Sequence, residues 1–226
     1  MRIILEKYAT ECPYLDSRTW AYSAFRASSM PPSVYEQLIS SGWRRSGLIF
    51  YQNSCPGCSE CTPIRIDAEK FRPDRSQRRN LKLNSDITCA VRPFADSDEE
   101  RQLYNRYVTE RHQQELSGGD VYSELFADSP VSSMVIRYYL GPKLAAAGWM
   151  DVMPDSISSI YLAYDPDLSS RGLGIFSILK QIELCRSLGK KSLHLGFHVK
   201  DSRKMNYKAR FKAAELLHEG NWQTPG

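Results

Sequence analysis

The chain has 226 residues, 42% of them hydrophobic and 25% charged, with 30 Lys and Arg against 26 Asp and Glu for a net charge of +4. That length supports one large domain or two small ones with a real core, and the near-average composition excludes a disordered, collagen-like or coiled-coil chain. No apolar run approaches the roughly 18 residues that span a bilayer, and the apolar stretch after Met1 is too short for a signal-peptide core. A soluble, cytoplasmic protein with no membrane partner is therefore expected. The charge is unevenly spread. Arg72 to Lys82 holds five basic residues against Asp74 alone, and Arg186 to Lys212 holds nine against Asp201, whereas residues 95 to 128 hold nine acidic side chains against three arginines. Segregation of this kind suits a protein that holds a polyanion on one side.

In chain order, Pro31-Pro32 leads into a helix expected over Ser33 to Ser41, with Val34, Leu38 and Ile39 sharing a face and Gly42 as the stop. Leu48 to Tyr51 and Thr62 to Ile66 read as strands flanking a cysteine-rich turn, with Trp43 to Arg45 in the same hairpin. Arg75 to Asn84 reads as a basic helix and Ile87 to Arg92 as a strand. Asp96 to Gln114 reads as a long acidic helix, with Leu103, Tyr107 and His112 partly inward. Val131 to Leu140, Leu144 to Met153 and Ile157 to Tyr164 form three strands separated by Gly141-Pro142 and Pro154-Asp155. The polar loop Asp165 to Gly172 then enters a helix over Leu173 to Leu188. Its buried stripe is Ile175, Ile178, Leu179 and Ile182, and Gly189 ends it. Ser192 to Phe197 follows as a strand. This order is similar to that of the GNAT acyltransferase core. The expected class is α+β: a small Cys-containing α/β domain over 1–94, then a GNAT-like domain with a mostly antiparallel sheet over 95–226.

In a cytoplasmic chain the six cysteines are expected as thiols or ligands rather than disulfides. Cys55-Pro-Gly-Cys58-Ser-Glu-Cys61 places three thiols at every third residue around a tight turn, and Cys12 precedes a proline. With Cys12 or Cys89 as the fourth ligand, the set would suit tetrahedral zinc or an iron–sulfur cluster. Arg65 stands where a ferredoxin-type run carries its last cysteine. A metal-free cluster packing a turn is the alternative. Cys185 reads as core.

The chemistry is narrowed by what is missing. There is no G-x-x-x-x-G-K-[ST] loop, no H-E-x-x-H pairing and no G-x-S-x-G elbow. No catalytic cofactor is expected, and the substrate must arrive already activated.

Six segments taken together carry a resemblance: Cys12-Pro-Tyr-Leu15, Gly42-Trp-Arg-Arg-Ser-Gly47, Cys55-x2-Cys58-x2-Cys61-x-Pro63-Ile-Arg65, Ser76-Gln-Arg-Arg79, Arg111-His112 and Met205-Asn-Tyr-Lys-Ala-Arg-Phe211. The chain resembles the aminoacyl-tRNA–protein transferases, and most of all their bacterial aspartate/glutamate leucyltransferase branch. The resemblance implies transfer of an amino acid from aminoacyl-tRNA to the α-amine of proteins beginning with Asp or Glu, which creates an N-degron. It departs from the usual pattern at Asp201-Ser-Arg-Lys204, at Arg171-Gly-Leu-Gly174 and between positions 113 and 119.

With that reaction in view, residues take expected roles. Leucine is the expected donor; delivery of arginine to the same acceptors, an acetyl-CoA N-acetyltransferase, and a non-enzymatic zinc or RNA module are the alternatives. An aminoacyl ester needs alignment and a mild base. Asp165, Tyr164 and Tyr207 are the base candidates, and Lys208 and Arg210 are candidates for the oxyanion or the terminal phosphate. The acceptor's carboxylate calls for the planar fork of arginine. Arg75, Arg78 and Arg79 are the candidates, with Ser76 and Gln77 beside them and Trp43, Arg44 and Arg45 covering the amino terminus. Arg171, Gly174, Lys204, Lys208, Arg210 and Lys212 are the expected tRNA contacts.

Overall fold

The computed structural model describes residues 4–112, 119–202 and 204–225; the side chain of His112, the segment 113–118 and Arg203 lie outside the described residues. Strands β1 (Glu6–Glu11), β2 (Thr19–Arg26), β3 (Arg44–Ser46) and β4 (Ile49–Asn53) make an antiparallel sheet in the order β1-β2-β4-β3. Helix α1 (Pro32–Ser40) begins at its second proline and lays Tyr35 and Ile39 against Phe25 and Phe50. Gly47, at φ +56°, turns β3 into β4, and a β-carbon there would lie 2.1 Å from the Glu124 carbonyl. Only glycine allows that approach.

The second sheet has eight strands. They are β5 (Thr62–Asp67), β6 (Ile87–Pro93), β7 (Ser133–Leu140), β8 (Lys143–Val152), β9 (Ser156–Tyr164), β10 (Ser192–His198), β11 (Ala214–His218) and β12 (Asn221–Gln223). Their order is β12-β11-β5-β10-β9-β8-β7-β6, and the β9–β10 pair alone is parallel. The class is therefore α+β with a mostly antiparallel sheet, as the element order implies.

Helices cover both faces. On one, α4 (Leu173–Ser187) packs Phe176, Leu179 and Ile182 on Ile64, Ile66, Met150 and Ile157, with α2 (Arg75–Leu83) beside it. On the other, α3 (Asp98–His112) packs Leu103, Tyr104 and Val108 on Val135, Ala147 and Trp149. Cys185 is fully buried in α4. Among the described residues, no helix is long and apolar enough to cross a membrane.

Two features differ from the sequence reading. The cysteine-rich turn does not close a hairpin: β4 belongs to the small sheet, and β5 enters the large one between β10 and β11. The expected division after residue 94 falls between β6 and α3, while β5, α2 and β6 on its N-terminal side are built into the large sheet and its cover.

A buried ion pair joins the two sheets. Arg45 donates from Nε and Nη2 to the two carboxylate oxygens of Asp151, each at 2.8 Å. Tyr35 and Ser133 donate to the same carboxylate at 2.9 and 2.7 Å. This corrects the expectation that Arg45 meets substrate, because its fork is spent in the interior. Asp151→Ala would strand a buried guanidinium, and we expect a loss of about 3–5 kcal/mol in chemical denaturation.

Candidate active site

The site is built where β9 and β10 part. Their parallel pairing runs through Ser156–Ser192, Ile157–Leu193 and Ser158–His194 and stops there, although β9 continues to Tyr164 and β10 to His198. Gly196, at φ +78°, lies in the irregularity that bends β10 away. Separating two strands leaves backbone oxygens to be satisfied. Two cations act here. Arg44, from β3 of the other sheet, donates to Ser158 Oγ at 3.0 Å and to the Ser159 carbonyl at 2.9 Å. Lys208, on the 3-10 turn Asn206–Arg210, donates from Nζ to the carbonyls of Leu195 at 2.9 Å and Phe197 at 3.1 Å. Burial, with the Arg44 charge adding to it, brings the Lys208 amine down to about 7.

The gap is a cleft of about 800 Å³. Ile160, Leu162, Ile178 and Leu195 contribute apolar wall, and Tyr107, Tyr161, Tyr164 and Tyr207 an aromatic one. The rings of Tyr107 and Tyr164 pack with centroids 4.7 Å apart. Burial first, and Tyr164 second, push the Tyr207 phenol above its ordinary range, so it stays protonated at neutral pH and serves as a donor rather than a base. Gly172, Leu173 and Gly174 bring the N-terminus of α4 into the wall, a position whose free amides and helix dipole favour an anion. The cations along the wall are Arg111, Lys204 and Lys208; no described lining residue is Asp or Glu.

Asp165 does not line this cleft. Its side chain is buried, paired with Arg106 at 2.9 Å and with Lys143, and accepts from the Asp167 amide at 3.0 Å to cap the 3-10 turn Pro166–Arg171. Burial alone would raise its pKa, but Lys143, the Asp167 amide and Arg106 outweigh that and hold it below the usual carboxylate range. The expectation of a catalytic base here is corrected: Asp165 is an anchor for the loop.

The same loop is clasped from α2. Asn80 and Asn84 donate to the Arg171 carbonyl at 2.9 and 3.0 Å, and Arg171 forks onto Asp86 with two contacts of 2.8 Å. Arg171 is therefore committed within the fold rather than held free for tRNA. Gln77 is buried in a reciprocal cap with Asp74, which corrects its placement on the acceptor. Ser76, Arg75, Arg78 and Arg79 are exposed on α2 and do not line the cleft. Trp43 packs against Phe25 at 5.4 Å and belongs to the small core rather than to a substrate cover. Arg210 and Lys212 are exposed outside the cleft lining.

Cys12, Cys55, Cys58 and Cys61 are half-buried free thiols. Burial and then the neighbouring Cys12, Cys55 and Cys58 push the Cys61 thiol up to about 12, so the four share one locality. Even so, no group of three or more His, Cys, Asp or Glu among the described residues is placed to hold a metal. The sequence reading gave no site role to Arg106 or Tyr161, and placed Tyr107 only as partly inward on its helix. Arg111 stands in one of the motifs above, but nothing local told that it lines the cleft.

A wedge between two diverging parallel strands, walled by a helix N-terminus, is the part of the fold that holds the cleft. The solved C-terminal domain of a putative lysylphosphatidylglycerol synthetase from Agrobacterium fabrum has that fold in common with this chain, at a TM-score of 0.52, 12% identity and coverage of 90% of this chain and 73% of the other. Models of the N and C termini of arginine-tRNA-protein transferase match residues 10–79 and 99–218. Proteins named aspartate/glutamate leucyltransferase from Marinobacter nauticus and Chromobacterium violaceum are each 35% identical, covering 94% and 96% of this chain and 92% and 93% of theirs. One of the same name from Aeromonas hydrophila is 37% identical over 87% of this chain and 83% of its own. The chain belongs to the arginine-tRNA-protein transferase family, and it is an aminoacyl-tRNA–protein transferase.

Proposed function

We propose that this enzyme transfers leucine from leucyl-tRNA to the α-amine of cytoplasmic proteins beginning with Asp or Glu, creating an N-degron. The lining of the cleft carries the reading. Its apolar and aromatic walls suit an aliphatic aminoacyl group, whereas an arginyl guanidinium would find no carboxylate among the described lining residues. Its cations suit the phosphate of a terminal nucleotide and the acidic side chain of the acceptor. The ester is already activated, and the acceptor amine, with a reference pKa of about 7.7–8.0, is partly neutral at cytoplasmic pH.

An acceptor's carboxylate lies within a side chain's length of the amine that attacks. Its counter-cation must therefore line the cleft, which favours Arg111, with its planar fork, over the arginines of α2. The exposed Arg75, Arg78 and Arg79 are then left for phosphates along the tRNA, with Lys204, Arg210 and Lys212 as the contacts on the other side. Changing all three α2 arginines to Ala should raise the Kd for tRNA and reduce its salt slope by about one per lost contact. Peptide KM should stay within about twofold, whereas Arg111→Ala should raise it about tenfold or more, the ~1.5–3 kcal/mol of a charged hydrogen bond. A rise in peptide KM from the α2 changes would return the acceptor to α2.

A zinc or iron–sulfur reading of the four cysteines rests on their common locality and is tested by metal analysis of protein purified without oxygen. The function itself is tested by offering tRNA charged with labelled Leu, Arg or Phe, together with peptides starting with Asp, Glu, Arg or Ala. Leucine should pass to the Asp and Glu peptides alone. Label on every peptide or on none would overturn the reading, and label from acetyl-CoA instead would make the protein an N-acetyltransferase.

A further inference from the structure

Lys208 is held in a way that a phosphate-binding lysine does not need. Its Nζ faces two backbone carbonyls of β10, Leu195 at 2.9 Å and Phe197 at 3.1 Å, and the next contact is the weak acceptor Met205 Sδ at 3.6 Å. A neutral primary amine has two N–H bonds and one lone pair. With both N–H bonds donated to the carbonyls, the lone pair takes the remaining tetrahedral position, and the residue lines the cleft. In the charged form a third N–H takes that same position, so the proton gained or lost by Nζ is exchanged on the side of the cleft.

We propose that Lys208 is the proton acceptor for the attacking α-amine. The proposal rests on the transfer reaction argued above. As the amine nitrogen bonds to the ester carbonyl carbon, it gives a proton to Lys208 Nζ. The bond from that carbon to the ribose oxygen then breaks, the departing oxygen takes the proton back from Lys208, and the amine is restored. Amide and free ribose hydroxyl are the products, and no other reactant is consumed. Tyr207, a protonated phenol on the same wall, is placed on the same turn to donate to oxygen in the collapse.

The surroundings favour the neutral form. Arg44 from β3 is the charge that acts on Lys208, and burial is the larger influence. His198 from β10 is itself held below its ordinary range, by burial and then by Lys208. Tyr164 from β9, Tyr207 from the same turn and Lys204 just before it are the other titratable groups on this part of the wall. Glu60 acts on His198. Among the described groups that shift the Lys208 amine there is no carboxylate.

The test is the single-turnover rate of leucyl-peptide formation from bound leucyl-tRNA, followed from pH 5.5 to 9 with saturating Asp-starting peptide. In the parent enzyme the rate should rise through a limb near neutrality, below that of the peptide amine. Lys208→Arg keeps a cation on the carbonyls but no lone pair, so it should lose that limb and fall about 10²–10⁴-fold at pH 7. Lys208→Met should be rescued by small primary amines, in proportion to their free-base form and more strongly by more basic amines. A merely structural lysine would show neither dependence. Lys208→Arg with the parent's rate and pH profile, or rescue indifferent to amine basicity, would overturn the proposal. A parent enzyme that transfers nothing from leucyl-tRNA would instead overturn the functional reading on which it rests.

Discussion

Arg44→Met is expected to lower transfer about 100-fold or more and to move the pH optimum upward. The first effect comes from geometry. The guanidinium reaches from the small sheet to Ser158 and Ser159, on the β9 side of the wedge, and a β-carbon on Gly196 would lie 3.6 Å from it. Without it the Ser159 carbonyl loses a charged donor, and the two sides of the wedge relax toward each other. Displacement of about 1 Å in such a site is enough for a hundredfold loss. The second effect comes from charge. Arg44 helps to hold the Lys208 amine near 7; removing it raises that pKa, so the neutral amine becomes abundant only at higher pH. Arg44→Lys should keep most of the pH behaviour but not the rate, because a point charge cannot span a hydroxyl and a carbonyl as the fork does. Rate–pH profiles of the two variants separate the effects. An unshifted profile for Arg44→Met would show that its charge does not reach Lys208.

Gly172→Val should destabilise the enzyme and impair donor binding, whereas Gly174→Ala, two residues on, should leave stability intact or slightly improved. Gly172 sits at φ +64°, closes the 3-10 turn and opens α4; a β-carbon there would come within 2.9 Å of Asn80 Nδ2. The left-handed backbone costs a side-chain-bearing residue about 1–2 kcal/mol, and more for a β-branched one. The clash adds to this by loosening the clasp between α2 and the loop. At roughly 2–4 °C per kcal/mol for a chain of this size, Tm should fall by several degrees. Gly174 is helical with nothing within 4 Å of an added β-carbon, and alanine there gains up to about 1 kcal/mol in helix propensity. Thermal melts with and without tRNA provide the comparison. Equal losses for both would mean that the loop is not shaped by Gly172.

The second half of the chain was readable because its signals are local. Apolar and aromatic runs mark β7, β8 and β9, a short turn separates each pair, and the stripe of α4 ends at a glycine. The basic helix was readable for the same reason, to within one residue at its C-terminal end. What was not readable depends on partners far along the chain. Arg45 finds Asp151, and the Cys55–Cys61 segment has the turn chemistry of a hairpin but leads β5 to strands that come much later. β1, β2, β11 and β12 were not foreseen at all; β1 is exposed throughout and offers no alternation of burial to detect. In the site, Asp165 anchors a loop and Lys208 is the proposed proton acceptor, for a reason no spacing reveals. Two cations hold the carboxylate charged, and the interior holds the amine close to neutral.

The threading of β5 also determines when the enzyme comes into being. This early strand has β10 on one side and β11 on the other, and Arg65 is tied to Glu215 at 2.7 Å and lies over the Trp222 ring at 4.4 Å. During synthesis β5 emerges long before either neighbour and must wait with both edges open, the situation in which chains aggregate or recruit chaperones. Contacts at such separation also make for slow folding. The turn that carries Lys208 lies between β10 and β11, so the sheet closes and the proton acceptor arrives in the same late event. A chain cut before β10 therefore lacks both sheet neighbours of β5 and the turn that carries Lys208.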